Sequence, residues 1–140
     1  MRRLWLLVGL LALGWSSGAG ATPVQWTAAS GGNGHFYEAI LVLEGIDWTA
    51  ANSAAQAQPG AWYLATITSA AENAFVYSLF SGNPDFFNSA YYDTGPWLGA
   101  THSGPDAGDY AWVTGEEFSY ANWAPPEPYG NGDRISFFGF

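Results

Sequence analysis

The chain has 140 residues, three basic against twelve acidic side chains, a formal net charge of −9 and no cysteine. So acidic a balance repels nucleic acid and anionic membranes, and the missing cysteines exclude disulfides, so the fold must be held by its core, with bound metal as the one other support. Eight tryptophans, eight tyrosines and nine phenylalanines point to a ring-rich core, because each buried ring contributes a large apolar area.

Residues Met1 to Ala21 begin with Arg2 and Arg3, continue through the apolar run Leu4–Leu13 and end in Ala19-Gly20-Ala21. A basic start, a short apolar stretch and a small-x-small terminus form the pattern of a secretory signal peptide, and the run is too short for a membrane span. Removing 1–21 leaves 22–140, a single modest domain with one basic residue, Arg134. The expected location is secreted or at the cell surface, with no transmembrane segment.

In chain order, Ser30-Gly31-Gly32-Asn33-Gly34 is a turn, and His35–Leu43 is rich in β-formers and reads as a first strand. His35 has no second histidine nearby and reads as a surface or capping residue. Asp47 or Thr49 can cap a first helix over Asp47–Gln58, with Trp48, Ala51 and Ala55 on one face. Trp62–Ile67 is a short apolar strand. Ser69-Ala70-Ala71-Glu72 is a capping-box pattern, in which Glu72 reaches back to the amide of Ser69. It opens a second helix over Ser69–Phe80 with Phe75, Leu79, Val76 and Phe80 on its apolar face.

After an aromatic loop over Asp85–Thr94, Trp97–Ala100 reads as a buried strand and His102–Asp109 as a surface excursion. Ala111–Thr114, Gly115 and Phe118–Tyr120 suggest a hairpin. Arg134–Phe140 is a last strand. The expected core comprises Trp48, Leu64, Ile67, Phe75, Leu79, Trp97, Leu98 and Trp112, with Trp123 also read as core.

Between the hairpin and the last strand lies Asn122–Asp133, with three prolines, two glycines, two carboxylates and two large aromatics. Neither a helix nor a central strand tolerates that composition, so it is a shaped loop. Its carboxylate and amide oxygens are ligands suited to a hard cation such as calcium.

Several motifs in order, Asp47-Trp48-Thr49-x-Ala51-Asn52, Leu64-Ala65-Thr66-Ile67-x-Ser69-x-x-Glu72-Asn73, Trp97-Leu98-Gly99, Trp112-x-x-x-Gly115 and Asn122-Trp123-x-x-x-Glu127-Pro128, together resemble the C-type lectin domain, most of all its cysteine-free bacterial branch. The resemblance implies an α+β, double-loop fold with two helices flanking a small antiparallel sheet, and a cis bond before Pro128. It also implies that 22–140 lacks the last strands of such a domain, including the one that carries an Asn-Asp pair of calcium ligands. In sugar-binding members calcium sits in the long excursion, and the sugar's hydroxyls coordinate it. Carried over, Glu127 matches the first ligand, Asp133 the later acid, and Tyr129 stands where the family has asparagine, with Asn131 as an auxiliary donor. Asn122 is expected to hold the loop from outside.

The function expected from these residues is a carbohydrate-binding module for a glycan or glycoprotein, through Glu127, Tyr129, Asn131 and Asp133, with Ca2+ as candidate cofactor held by Glu127, Asn131 and Asp133. A calcium-independent protein-binding or adhesion module on the same fold is the alternative. Glu116, Glu117 and Glu127 could supply a glycosidase pair, but no nucleophile and base are paired in the pattern, and the chain is not read as an enzyme.

Overall fold

A computed structural model describes residues 5–9, 22–88, 94–106, 108–128 and 132–139. In chain order its elements are β1 (Trp5–Gly9), β2 (Val24–Gln25), β3 (Phe36–Ile40), α1 (Trp48–Gln56), β4 (Tyr63–Leu64), α2 (Ala70–Ser78), β5 (Thr94–His102), β6 (Tyr110–Trp112) and β7 (Arg134–Phe138). Two helices and a largely antiparallel sheet make this an α+β arrangement. The strand order is β2-β3-β1-β5-β6, with β4 paired to β1 and β7 paired to β5. Among the described residues no helix is long and apolar enough to cross a membrane.

Both helices start where local chemistry places them. The Asp47 side chain accepts from the Ala50 amide at 2.8 Å, and the Ser69 hydroxyl accepts from the Glu72 amide at 3.2 Å, each satisfying a first-turn donor that has no partner in the helix. The Glu72 side chain does not complete the expected box. Its Oε2 accepts from the backbone N–H and the hydroxyl of Thr68, one residue beyond Ser69, and its Oε1 accepts from Asn33 Nδ2 and the Tyr37 hydroxyl. Glu72 is therefore buried, 3% exposed, and ties α2 to β3 and to the turn before it. Burial, followed by the bond to Glu72, pushes the Tyr37 phenol far above its ordinary range and keeps it a donor.

Alternation along the strands assigns the two faces of the sheet. Tyr37 and Ala39 belong to a cluster with Val76, Phe80, Leu98 and Trp112, whereas Phe36 and Ile40 pack against Ala51, Ala55, Trp62 and Leu64. With side chains of period two, odd positions of β3 face α2 and even positions face α1. On α1, Ala51 and Ala55 are fully buried, their small size letting the helix lie close to the sheet. Close approach recurs at Gly99, where an added Cβ would lie 2.4 Å from the Leu64 carbonyl oxygen.

Of the expected core, Leu64, Ile67, Leu98 and Trp112 are buried, while Trp48, Phe75, Leu79 and Trp97 are half-buried. Both of the latter tryptophans have bonded indole nitrogens, Trp48 to the Leu98 carbonyl at 2.8 Å and Trp97 to the Ile46 carbonyl at 3.0 Å. On α2 the buried residues are Glu72 and Val76, a line that Phe80 continues past the helix end, with Phe75 and Leu79 half-buried beside it. Phe75 stacks on Trp26, ring centroids 5.6 Å apart, and so anchors the loop before β3.

One expected hairpin is corrected. Ala111–Thr114 does not pair with Phe118–Tyr120; β6 pairs with β5, in the register Ala100 to Trp112 and His102 to Tyr110. Gly115, at φ +78°, turns the chain off the sheet, and Phe118 lays its ring on Trp112, 4.9 Å between centroids, rather than joining a ladder.

Candidate binding cleft

From Trp112 to Arg134 the chain makes a long excursion whose described parts are secured by rings and by bonds to its return arm. Phe118 and Trp123 both pack on Tyr110, at 5.8 and 5.3 Å between centroids, and on each other at 6.3 Å. The Tyr110 hydroxyl donates to the Gly132 carbonyl at 2.6 Å, and the His102 amide donates to the Asp133 carbonyl at 3.1 Å. The Glu127 amide closes a turn onto the Ala124 carbonyl at 2.7 Å, and the Pro125-Pro126 and Glu127-Pro128 bonds are cis. Proline-fixed backbone and the packed rings of Tyr110, Trp112, Phe118 and Trp123 hold the loop without regular structure.

Between loop and sheet lies a cleft of about 640 Å³. Its apolar walls include Trp112, Phe118, Trp123 and Phe137, and its polar groups include Asn73, Tyr110, Asn122, Glu127 and Arg134. Concave, mainly apolar sites with a few placed polar groups are the form small-ligand sites take. The buried Trp112 indole nitrogen has no hydrogen-bond partner among the described residues.

Neither protein-family models nor curated proteins nor solved structures give a match to the chain.

The expected site residues fare differently. Glu127 and Asp133 are both exposed, one on the cleft rim and one at the foot of β7. Their charges converge on one group: the Tyr110 phenol is pushed up first by burial and then by the fields of Glu127 and Asp133. Tyr129 and Asn131 lie outside the described residues. Among the described residues no group of three or more His, Asp and Glu side chains converges as a metal site. Glu127 and Asp133 match calcium in chemistry, being hard oxygen donors, and are a partial set for an ion that takes six to eight oxygens.

Asn122 is among the residues that line the cleft. Trp123, read from sequence as core, is half-buried in the cleft wall. Tyr110 and Arg134 were not singled out, although the high density of rings around the loop was a signal for the first. Arg134 is the only basic residue of 22–140. Its guanidinium lies 4.4 Å from the ring centroid of Trp48 and donates to the Asp133 carbonyl at 2.6 Å, so it anchors the start of β7.

Proposed function

We propose that the protein is a carbohydrate-binding module on a C-type lectin-like fold, with the sugar held in the cleft under the Asn122–Asp133 loop. The observation that carries this reading is the pairing, in one cleft of about 640 Å³, of the ring wall formed by Phe118 and Trp123 with the Glu127 carboxyl at its rim. A pyranose offers an apolar C–H face and an edge of hydroxyls. Rings complement the face, and carboxyl and amide groups from Glu127 and Asn122 complement the edge. Two helices beside an antiparallel sheet, with a long excursion between β6 and β7, support the fold assignment.

Calcium is the candidate cofactor. Glu127 and Asp133, with Asn131, would hold it, and the ion would supply direct coordination of vicinal hydroxyls. Its affinity belongs at the weak, roughly millimolar end seen for extracellular modules. Titration calorimetry with calcium, then glycan screening with and without chelator, tests the reading. Glycan binding that chelator weakens is the expected result. A protein that takes up neither calcium at millimolar concentration nor any glycan is better read as a calcium-independent protein-binding module.

Tyr110 reports on the same site independently. Because the fields of the two carboxylates add to burial in raising its phenol, a divalent cation held by them should remove that added part and lower it. Spectrophotometric titration from pH 8 to 12 is expected to show one tyrosine whose midpoint falls when calcium is added, and the shift should be absent in Tyr110→Phe. An unchanged titration curve at saturating calcium would place the ion away from Glu127 and Asp133.

A further inference from the structure

Glu116, one of the carboxylates that could supply a glycosidase pair, is committed elsewhere by the fold. Its Oε2 accepts from the Thr66 hydroxyl at 2.7 Å and from the Thr114 hydroxyl at 2.7 Å, and the Glu116 amide donates to the Thr114 hydroxyl oxygen at 3.4 Å. Thr114 is local, but Thr66 is 50 residues away, 4% exposed, and lies in the connection between β4 and α2. A buried hydroxyl that loses its acceptor is costly to leave unpaired, so this bond ties an exposed residue to the interior.

The bond reaches across β5. The Gly99 amide donates to the Ala65 carbonyl at 2.8 Å, and the Gly99 carbonyl accepts from the Val113 amide at 2.8 Å, so two rungs run from the connection before α2 through Gly99 to the end of β6. The three backbones lie close at this point: a Cβ on Gly99 would meet the Leu64 carbonyl oxygen at 2.4 Å and Val113 Cγ2 at 2.9 Å. Just past Val113, Gly115 turns the chain at φ +78°, and the Glu116 side chain adds a third link to the same connection. Tyr63, on β4, responds to that carboxyl group, since burial first and the field of Glu116 second push its phenol up.

The long excursion needs holding at both ends. Its return arm is held at Gly132 and Asp133, whereas the chain leaves β6 through Val113–Glu117, all of them exposed. Two residues past Glu116, Phe118 lies on Trp112 and meets Tyr110 and Trp123, and two residues of chain span at most about 7 Å, so fixing Glu116 limits where that ring can go. We propose that Glu116 is a positioning residue for the cleft: by accepting from Thr66 and Thr114 it clamps the entry of the excursion to the connection before α2 and so sets the ring wall of Phe118 and Trp123. A wall fixed beforehand spares a ligand the entropy of ordering it. The effect on ligand affinity rests on the reading of the cleft as a sugar site; the clamp itself does not.

The test uses the full chain and three variants. Glu116→Ala removes the acceptor, Thr66→Val removes the buried hydroxyl and keeps its branched shape, and Glu116→Gln removes the charge while leaving an amide oxygen to stand for Oε2. Hydrogen exchange at the amides of 116–123 is expected to quicken about tenfold in Glu116→Ala and Thr66→Val, to stay within about threefold of the parent in Glu116→Gln, and to be unchanged in α1 and β3 throughout. The near-ultraviolet circular dichroism of the ring group should weaken in the first two variants and be retained in the third. Affinity for methyl glucoside, methyl galactoside or methyl mannoside, whichever the parent binds, should fall about tenfold in the first two and be retained in Glu116→Gln. A parent that binds none of the three counts against the sugar reading, and exchange and dichroism then decide the clamp by themselves. Unchanged exchange at 116–123 in Glu116→Ala and Thr66→Val overturns the proposal, because water then serves as well as the carboxyl group. Glu116→Gln behaving like Glu116→Ala overturns it by assigning the effect to charge, and faster exchange that extends to α1 and β3 overturns it by assigning the bond to the fold at large. Pyranoside affinity that stays at the parent's value while 116–123 exchanges faster overturns it as well, since the wall would then not depend on the clamp.

Discussion

Glu72→Ala is expected to lower the free energy of unfolding by about 3–5 kcal/mol, a large part of the 5–15 kcal/mol that holds a typical domain. Four donors converge on this one carboxyl group: Asn33 Nδ2, the Tyr37 hydroxyl, and the amide and hydroxyl of Thr68. Tyr37 is fully buried, so its hydroxyl cannot turn to water when the acceptor is removed. Each donor stranded in this way costs about 1–3 kcal/mol, and the cavity left by the side chain adds to it. Glu72→Gln keeps the volume but turns one acceptor into a donor facing other donors, so it should cost about 1–3 kcal/mol. Urea unfolding at neutral pH measures both. A loss under about 1 kcal/mol for Glu72→Ala would show that water replaces the carboxyl and that the network does not hold α2 to β3.

This network also shows what the sequence could and could not convey. The caps were legible because Asp47 and Ser69 act within three residues of themselves. That Ser69 and Glu72 form a capping pattern was legible for the same reason, but of the partners of the Glu72 side chain only Thr68 is local, and Asn33 and Tyr37 lie 39 and 35 residues away. A surface capping residue and a buried keystone look alike until the turn before β3 is placed against α2. Long range explains the hairpin as well: Trp112 and Phe118 have suitable spacing for adjacent strands, but the partner of β6 is β5, whose paired residues lie eight to twelve positions earlier in the chain. Trp5–Gly9 was legible as an apolar run and not as a strand, since periodicity alone does not distinguish the two uses.

At the cleft, the oxygen donors Glu127 and Asp133 stood out because charges on a proline-rich loop are conspicuous. Tyr110 did not, since its part depends on the excursion folding back so that both charges act on one phenol. Trp123 was legible as a large ring, but whether a ring ends in the core or in a wall depends on what closes over it.

Trp123 and Glu127 therefore give the sharpest separation of the two components of the proposed site. Trp123→Ala removes a ring from the cleft wall and no oxygen donor, so glycan affinity should fall by about 2 kcal/mol, roughly thirtyfold in Kd, with the calcium response unchanged. Glu127→Gln keeps shape and removes one formal charge, so calcium and glycan binding should weaken together, each about tenfold. Tyr129→Asn, which adds an amide oxygen donor to the loop, should strengthen both. Calorimetry on the three variants, each first checked for cooperative unfolding, distinguishes the possible arrangements. Parallel losses in Trp123→Ala would mean that the ring shapes the ion site rather than the sugar site. Glycan binding that survives Trp123→Ala but not Glu127→Gln would place the sugar on the rim alone, coordinated through the ion without a stacking face. If both variants bind glycan as the parent does, the cleft is not the sugar site, because these two residues are the apolar wall and the rim carboxyl on which the assignment stands.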